Sequence, residues 1–432
     1  MSATPSEAQA SRYRWVVEGS LLLLQFAMGL SFLAVAPLFP LIIEDFDVSR
    51  ATASLLVGGT ALGVAVSLIP CSMLAARLGA RVSLALGGFL MSVIVLAPFA
   101  GSFGLLLMAR ITFAVGAAIT LSATPVVIMR WFPVRELTIV NGINVIGQSL
   151  GITLSMFAAA PLATMIGWDT TLSVFGCITL LGTMIWLAAA REPVPTATPR
   201  GATPTFPISD LLATLRDRAT ILLGLGLAGA LGANVAFGSW LPTYYHEQFG
   251  FSLEKAGAVA GLLALFGIIG SLLGSTLPVR FRRRRPFLII AGLLLPLTAI
   301  GSFVSSNPLL LYPSVSLFGV MSWVFIPVVF TIPMELPRMT PERVGVTVAV
   351  VLSMGNLSGF AASLVVGLIR DRTGVFSVGL MIAALLAVGL AVAGYLMPET
   401  GLGTAPRRDD DAVPLSDLAL PAAADGGHAI KR

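Results

Sequence analysis

The chain of 432 residues is 56% hydrophobic and 11% charged, with a mean hydropathy of +0.93. A water-soluble domain carries roughly a quarter charged residues, so this composition excludes an ordinary soluble enzyme and describes a chain whose solvent is mostly lipid. The net charge of +5 does not mark a nucleic-acid binder, because Arg and Lys fall in short segments between apolar stretches, as topology signals do.

Residues 1–14 are polar and read as a tail with no removable signal peptide. A membrane-crossing helix needs about 20 mostly apolar residues. Such stretches follow at 15–36, 51–74, 82–100, 105–127, 137–165 and 170–190. Residues 191–218 carry Pro193, Pro195, Pro199, Pro204 and Pro207 and read as a linker between two units. Near its end Ile208, Leu211, Leu212 and Leu215 have helical spacing, which predicts a short helix on the membrane surface. A second series of spans follows at 220–240, 256–277, 287–304, 309–332, 344–369 and 375–396. Residues 399–432, rich in Pro and Ala and carrying Asp409, Asp410 and Asp411, read as a disordered tail. The expected fold class is an all-α membrane protein with twelve transmembrane helices in two pseudo-symmetric six-helix bundles, 15–190 and 219–398.

Arg77, Arg81, Arg130, Arg135, Arg191, Arg280 and the run from Arg282 to Arg285 share one side of this layout with the basic residues of both tails and the linker. The opposite side holds only Arg50, Lys255, Arg370 and Arg372. Positive charge prefers the cytoplasmic side, so both termini and the linker are expected there, in a bacterial-type inner membrane. Cys71 and Cys177 fall inside apolar stretches and read as small packing residues, neither a disulfide nor a metal site.

The two halves repeat each other. At an offset of 203 residues, Glu44-Asp45-Phe46-Asp47-Val48-Ser49 matches Glu247-Gln248-Phe249-Gly250-Phe251-Ser252. At the same offset Leu74, Arg77 and Arg81 match Leu277, Arg280 and Arg284, and Gly116 matches Gly319. With a few inserted residues, Gly147 to Gly151 matches Gly355 to Gly359. Two copies in one orientation imply an axis along the membrane normal and a site at their interface.

On these residues the chain resembles the major facilitator superfamily of secondary transporters, over nearly everything from Trp15 to Leu396. Ser72 to Arg81 is similar to the family signature Gly-x-Leu-Ala-Asp-Arg-x-Gly-Arg-Arg, with Ala76 at the acidic position; Ser275 to Arg284 repeats it, with Val279 there. The resemblance implies that Arg77, Arg81, Arg280 and Arg284 take part in gating, although the acid that family members use in that contact is missing. Arg110 to Ala118 resembles a second family motif, Arg-x-x-x-Gly-x-Gly, and Arg130 to Glu136 resembles the loop after the fourth helix of anion and metabolite carriers. Nitrate carriers of the superfamily place arginines in helices 2 and 8, and the corresponding spans here have none.

Charge inside hydrocarbon is costly, so an ionisable residue there is a functional candidate. Arg110 is the one residue of this kind clearly within a span. It reads either as a helix-packing residue joining spans 1 and 4 or as a bidentate anchor for an anion. Asp and Glu are expected only in loops, tails or span ends, with Glu18 and Glu335 at cytoplasmic edges, so no buried carboxylate is expected as a proton carrier. Every Asn and Gln of the spans falls in spans 1, 5, 7 or 11: Gln25, Asn141, Asn144, Gln148, Asn234 and Asn356. The resemblance implies that spans 3, 6, 9 and 12 face lipid while the others surround the solute. Gln25, Asn144, Gln148, Asn234, Asn356 and the deep Trp323 are therefore candidate solute contacts together with Arg110. Trp168, Trp240, Tyr244 and Tyr245 are expected to anchor the outer membrane boundary.

No phosphate-binding loop, metal-ligand cluster or activated nucleophile is evident, so neither an enzyme nor an ATP-driven pump is expected, and no cofactor. The expected function is alternating-access transport of a small organic anion, for instance a carboxylate, by a functional monomer with the solute and the bilayer as its partners. Two alternatives stand beside it: efflux of an amphipathic drug-like compound, and a non-transporting membrane sensor with a carrier fold.

Overall fold

The computed structural model describes residues 5–132, 137–191, 214, 216–335 and 341–400. These are almost entirely helical, with no strand among them. Among the described residues, twelve helical segments are long and apolar enough to cross a membrane: Tyr13–Phe46, Arg50–Leu68, Ala80–Phe99, Phe103–Trp131, Val140–Ile166 and Trp168–Ala189, then Arg218–Phe249, Leu253–Pro278, Arg285–Val304, Pro308–Pro333, Thr347–Thr373 and Ser377–Leu396. They are spans 1 to 12 below. The surface helix expected at 208–215 and the tail from 401 lie outside the described residues.

Side-chain caps set several helix starts, because the first N–H groups of a helix have no partner within it. Ser49 accepts from the Thr52 N–H, Ser102 from that of Leu105, Asp217 from that of Thr220 and Asn307 from that of Leu309. The half-repeat is visible at this level. Asp47 and Gly250, 203 residues apart, both take left-handed backbone at the end of a helix. The caps that follow also correspond, since Ser252 accepts from the Lys255 N–H as Ser49 does from Thr52.

Prolines account for departures from twelve uniform rods. Span 1 runs ten residues past its expected end: after Phe32 comes a 3-10 turn, Ala36–Leu38, and then a short helix, Phe39–Phe46, started by Pro37 and Pro40. Span 3 ends as a 3-10 segment, Val93–Phe99, containing Pro98. Span 10 breaks at Phe325, where Pro327 lacks the N–H and crowds the carbonyl four residues earlier.

Three of the four ring residues expected at the outer boundary, Trp240, Tyr244 and Tyr245, are buried within the protein. Trp240 is fully enclosed, donating from Nε1 to the Ser363 carbonyl at 2.9 Å and packed between Phe39 and Phe376. Tyr244 and Tyr245 donate to the Phe303 and Ser302 carbonyls. Each ring thus satisfies its polar atom inside the protein, and the cluster stiffens the second half where it meets the first. Trp168 is half-buried against Phe46.

The two halves approach at the membrane end opposite the termini, the far end below. Span 2 meets span 11, with Gly58 against Phe360 and Gly367 against Ala51. Span 5 meets span 8, with Gly257 against Met156 and Gly261 against Phe157.

Candidate functional site

Arg110 sits on the second turn of span 4 and is 0% exposed. Its Nε donates to the Leu56 carbonyl at 2.9 Å, and its two terminal nitrogens donate to the carbonyls of Ser31 and Phe32 at 2.7 Å each. The guanidinium also lies 5.0 Å from the centre of the Phe113 ring. Span 1 turns from α-helix to 3-10 geometry just beyond Phe32, leaving carbonyls without helical donors. The planar fork of Arg110 supplies those donors and ties spans 1, 2 and 4 together. This is the geometry of the packing alternative, with no face of the guanidinium open to a solute.

At the interface of the halves, near the closed end, lies a small cavity of about 30 Å³, room for about two waters. Leu33, Ile152, Met156 and Leu263 give it apolar walls, and Ser149, Asn234 and Trp323 are its polar or aromatic members. Two of the sequence-derived candidates, Asn234 and Trp323, therefore meet here, from spans 7 and 10. The Asn234 amide nitrogen is buried without a hydrogen-bond partner. The Trp323 edge that carries Nε1 lies against Gly267 of span 8, where only a glycine leaves room for the indole.

The other candidates are not among the residues that line this cavity. Gln148 precedes the lining residue Ser149 and is half-buried. Asn356 is half-buried and donates to the Leu352 carbonyl of its own helix at 3.0 Å. Gln25 is buried and donates to Thr124 Oγ1 at 2.8 Å, joining spans 1 and 4, while its own Oε1 has no partner. Asn144 faces Glu18: its Nδ2 donates to Glu18 Oε1 at 2.7 Å and to the Val140 carbonyl at 3.0 Å.

The sequence reading placed Glu18 at a membrane edge and expected no buried carboxyl, and here the structure differs. Glu18 is 3% exposed, because spans 1 and 5 pack tightly over it. The signal available in the sequence was a Glu on the first turns of span 1 and an Asn at the corresponding depth of span 5.

Of the four arginines assigned to gating, three are exposed and Arg284 is buried, and two of the four, Arg81 and Arg284, are tethered by hydrogen bonds. Arg77 and Arg280 are exposed at the termini end. Arg81 donates to the Leu187 carbonyl at 3.1 Å while its own carbonyl accepts from Trp186. Arg284 is buried, pairs with Glu335 at 2.8 Å, and its backbone N–H donates to Glu399. Each tether lies within one half.

Contacts across the halves lie at the far end and were not singled out from the sequence. Glu247, at the end of span 7, bridges Arg50 at 2.9 Å and Arg370 at 3.1 Å. Asp371 accepts from the backbone N–H groups of Arg50 and Ala51, at 3.2 and 2.8 Å. A carboxylate from the second half thus sits on the positive end of span 2 of the first. The clue was the minority of charges on the poorly charged side, read only as topology.

Comparison with known proteins agrees with this architecture. The sequence profile of the Major Facilitator Superfamily matches residues 21–363. The probable nitrate transporter NarT of Staphylococcus carnosus is 28% identical over 368 residues, covering 82% of this chain and 88% of its own. The hexuronate transporter of Escherichia coli is 23% identical over 264 residues, 58% of this chain and 61% of its own. Among solved structures, a bacterial homologue of the human lysosomal transporter Spinster, in an inward-facing and unoccupied conformation, superposes with a TM-score of 0.72 at 20% identity, over 91% of this chain and 96% of that one. The chain belongs to the Major Facilitator Superfamily, as a multi-pass membrane transporter rather than an enzyme.

Proposed function

We propose that the chain carries a small organic anion, for instance a carboxylate, by alternating access, binding it between the halves at a site of which the small cavity is one part. The observation that carries this reading is the Asn234 amide, a cavity member whose buried nitrogen has no partner among the described residues. Rotation about the terminal torsion of the side chain presents that nitrogen to a solute, so the site offers a donor to an acceptor-rich ligand. Arg110 supports the reading only indirectly, by fixing span 1, which brings Leu33 to the cavity, against spans 2 and 4. Similarity to transporters named for nitrate and hexuronate favours anions, and the lack of arginine within spans 2 and 8, apart from Arg50 on the first residue of span 2, favours a carboxylate over nitrate. With both termini in the cytoplasm, closure at the far end makes this conformation the inward-open one.

The apolar walls favour a second reading, efflux of an amphipathic compound. Asn234→Asp separates the two readings, since it keeps the shape but replaces a donor by a charged acceptor. Carboxylate binding to purified protein, followed by thermal shift, is expected to weaken at least tenfold, as losing a hydrogen bond to a charged group costs about 1.5 to 3 kcal/mol. Unchanged carboxylate affinity in Asn234→Asp, or stabilisation by amphipathic compounds alone, rejects the anion reading.

A further inference from the structure

The half-repeat brings corresponding arginines to the termini end of both halves, and their surroundings differ. In the second half Arg284, at the head of span 9, meets two carboxylates. Glu335, the last residue of the span 10 helix, pairs with its guanidinium at 2.8 Å, and Glu399, just past span 12, accepts from its backbone N–H. The repeat mate of Arg284 is Arg81, at the head of span 3. Around Arg81 the chain has arginines where the second half has carboxylates: Arg130 stands in the last turn of span 4, and Arg191 follows the end of span 6. Arg81, Arg130 and Arg191, with Trp131 and Trp186, line a notch of about 20 Å³, and no Asp or Glu is among the described residues that line it. Like charges gathered without a counter-charge repel, so this corner favours an anion from outside the chain.

We propose that the corner of spans 3, 4 and 6 binds the phosphate of an anionic phospholipid in the leaflet at the termini end. Arg81 is held in position, because Trp186 Nε1 donates to its carbonyl at 3.1 Å while one of its terminal nitrogens donates to the Leu187 carbonyl at 3.1 Å. The other N–H groups of its fork remain for a ligand. Arg191 lies 4.9 Å from the centre of the Tyr13 ring, a contact that consumes none of its N–H groups. Arg130 is exposed and has no hydrogen-bond or ion-pair partner among the described residues. The notch has room for little more than one water, so one phosphate oxygen enters it while the others meet the exposed arginines at its rim. A free phosphate ion shares this chemistry, and the surroundings favour the lipid. Val82, Met129 and Ile185, each next in sequence to a residue of the notch, are apolar and exposed, as a surface covered by acyl chains is. Trp131 is partly exposed, and tryptophan settles at headgroup level. Basic pockets between membrane helices hold such headgroups.

Native mass spectrometry of the purified, full-length protein, titrated with phosphatidylglycerol or with phosphatidylcholine of the same acyl chains, tests the site. The expected result is one phosphatidylglycerol held at least about tenfold more tightly than phosphatidylcholine, because each arginine near a lipid surface contributes about fivefold in affinity for an anionic lipid. In Arg130→Gln/Arg191→Gln that preference is expected to fall at least about fivefold. Arg282→Gln/Arg283→Gln removes the same charge from exposed residues at the same end of the second half, and is expected to change the preference less than about twofold. Equal losses in the two double variants reduce the effect to general charge attraction and overturn the proposal, as does an unmodified protein that does not distinguish the two lipids. Melting curves with millimolar inorganic phosphate separate the free ion from the lipid. Phosphate is expected to leave Tm unchanged; a rise that disappears in Arg130→Gln/Arg191→Gln assigns the notch to the free ion and overturns the lipid proposal. Should that double variant not be recovered folded, Arg130→Glu serves instead, since it gives the first half the carboxylate that Glu335 gives the second. A preference for phosphatidylglycerol undiminished in Arg130→Glu overturns the proposal.

Discussion

Three backbone carbonyls hold Arg110, and a carbonyl carries no mark in a sequence. The residue stood out because charge within a span is rare; which of its two roles applied depended on where span 1 leaves α-helical geometry, a backbone event. In Arg110→Gln at least one of these buried carbonyls loses its donor, at about 1 to 3 kcal/mol for each. The expected outcome is a lower melting temperature and yield, with unchanged affinity for any solute in the protein that does fold. Arg110→Lys is expected to fall between, because a point charge cannot reach three acceptors set around a planar fork. A selective loss of anion affinity at unaltered stability contradicts this and restores Arg110 to the solute site. Glu18 escaped the sequence reading for a related reason, since its depth follows from how spans 1 and 5 pack. The polar candidates were legible as types, Asn and Gln confined to four spans. Their partition into cavity members such as Asn234 and buried cross-links such as Gln25 depends on side-chain direction, which composition does not carry.

Spans 1 and 5 are held so close that glycine is required on both sides of the contact. A Cβ at Gly29 collides with the Gln148 carbonyl oxygen, and one at Gly151 with that of Phe26. Small residues let membrane helices approach until backbones touch, which is where their packing energy comes from. Gly29→Ala and Gly151→Ala are therefore expected to part the two helices and lower thermal stability. Gly19 lies on span 1 with open space around it, so Gly19→Ala is expected to be neutral, or to stabilise by up to about 1 kcal/mol through helix propensity. Melting curves of the three variants decide this; equal losses in all of them contradict the close-contact argument. The spans themselves were legible, because twenty apolar residues in lipid have few options besides a helix. Their irregularities were less so. Pro98 and Pro327 lie where spans 3 and 10 leave regular α-helix, whereas no proline within the helix marks the turn after Phe32 or the break at Ala387.

At the scale of the whole molecule, alternating access requires the closed far end to open, and the bonds across the halves that oppose it centre on Arg50. Glu247 binds Arg50 of the first half and Arg370 of its own, so it both joins the halves and keeps two arginines from repelling each other. Arg50 is about 30% exposed and Asp371 is exposed, so water and salt screen these charges. Each contact then contributes no more than about 1 kcal/mol, and the set about 1 to 2 kcal/mol. That is small for stability but shifts a two-state balance roughly five- to thirtyfold. Glu247→Gln and Asp371→Asn are expected to fold normally and to populate the far-end-open state more. Spin labels at the exposed residues Glu44 and Arg372, one in each half, report it as a second, longer distance. Raising the salt concentration in the unmodified protein is expected to move the distribution the same way, because screening weakens the same bonds. The double variant should then lose most of that salt response, since the charges being screened are gone. A distance distribution unchanged by either substitution places the closing force in the apolar contacts of spans 2 with 11 and 5 with 8, and removes Glu247 and Asp371 from the gate.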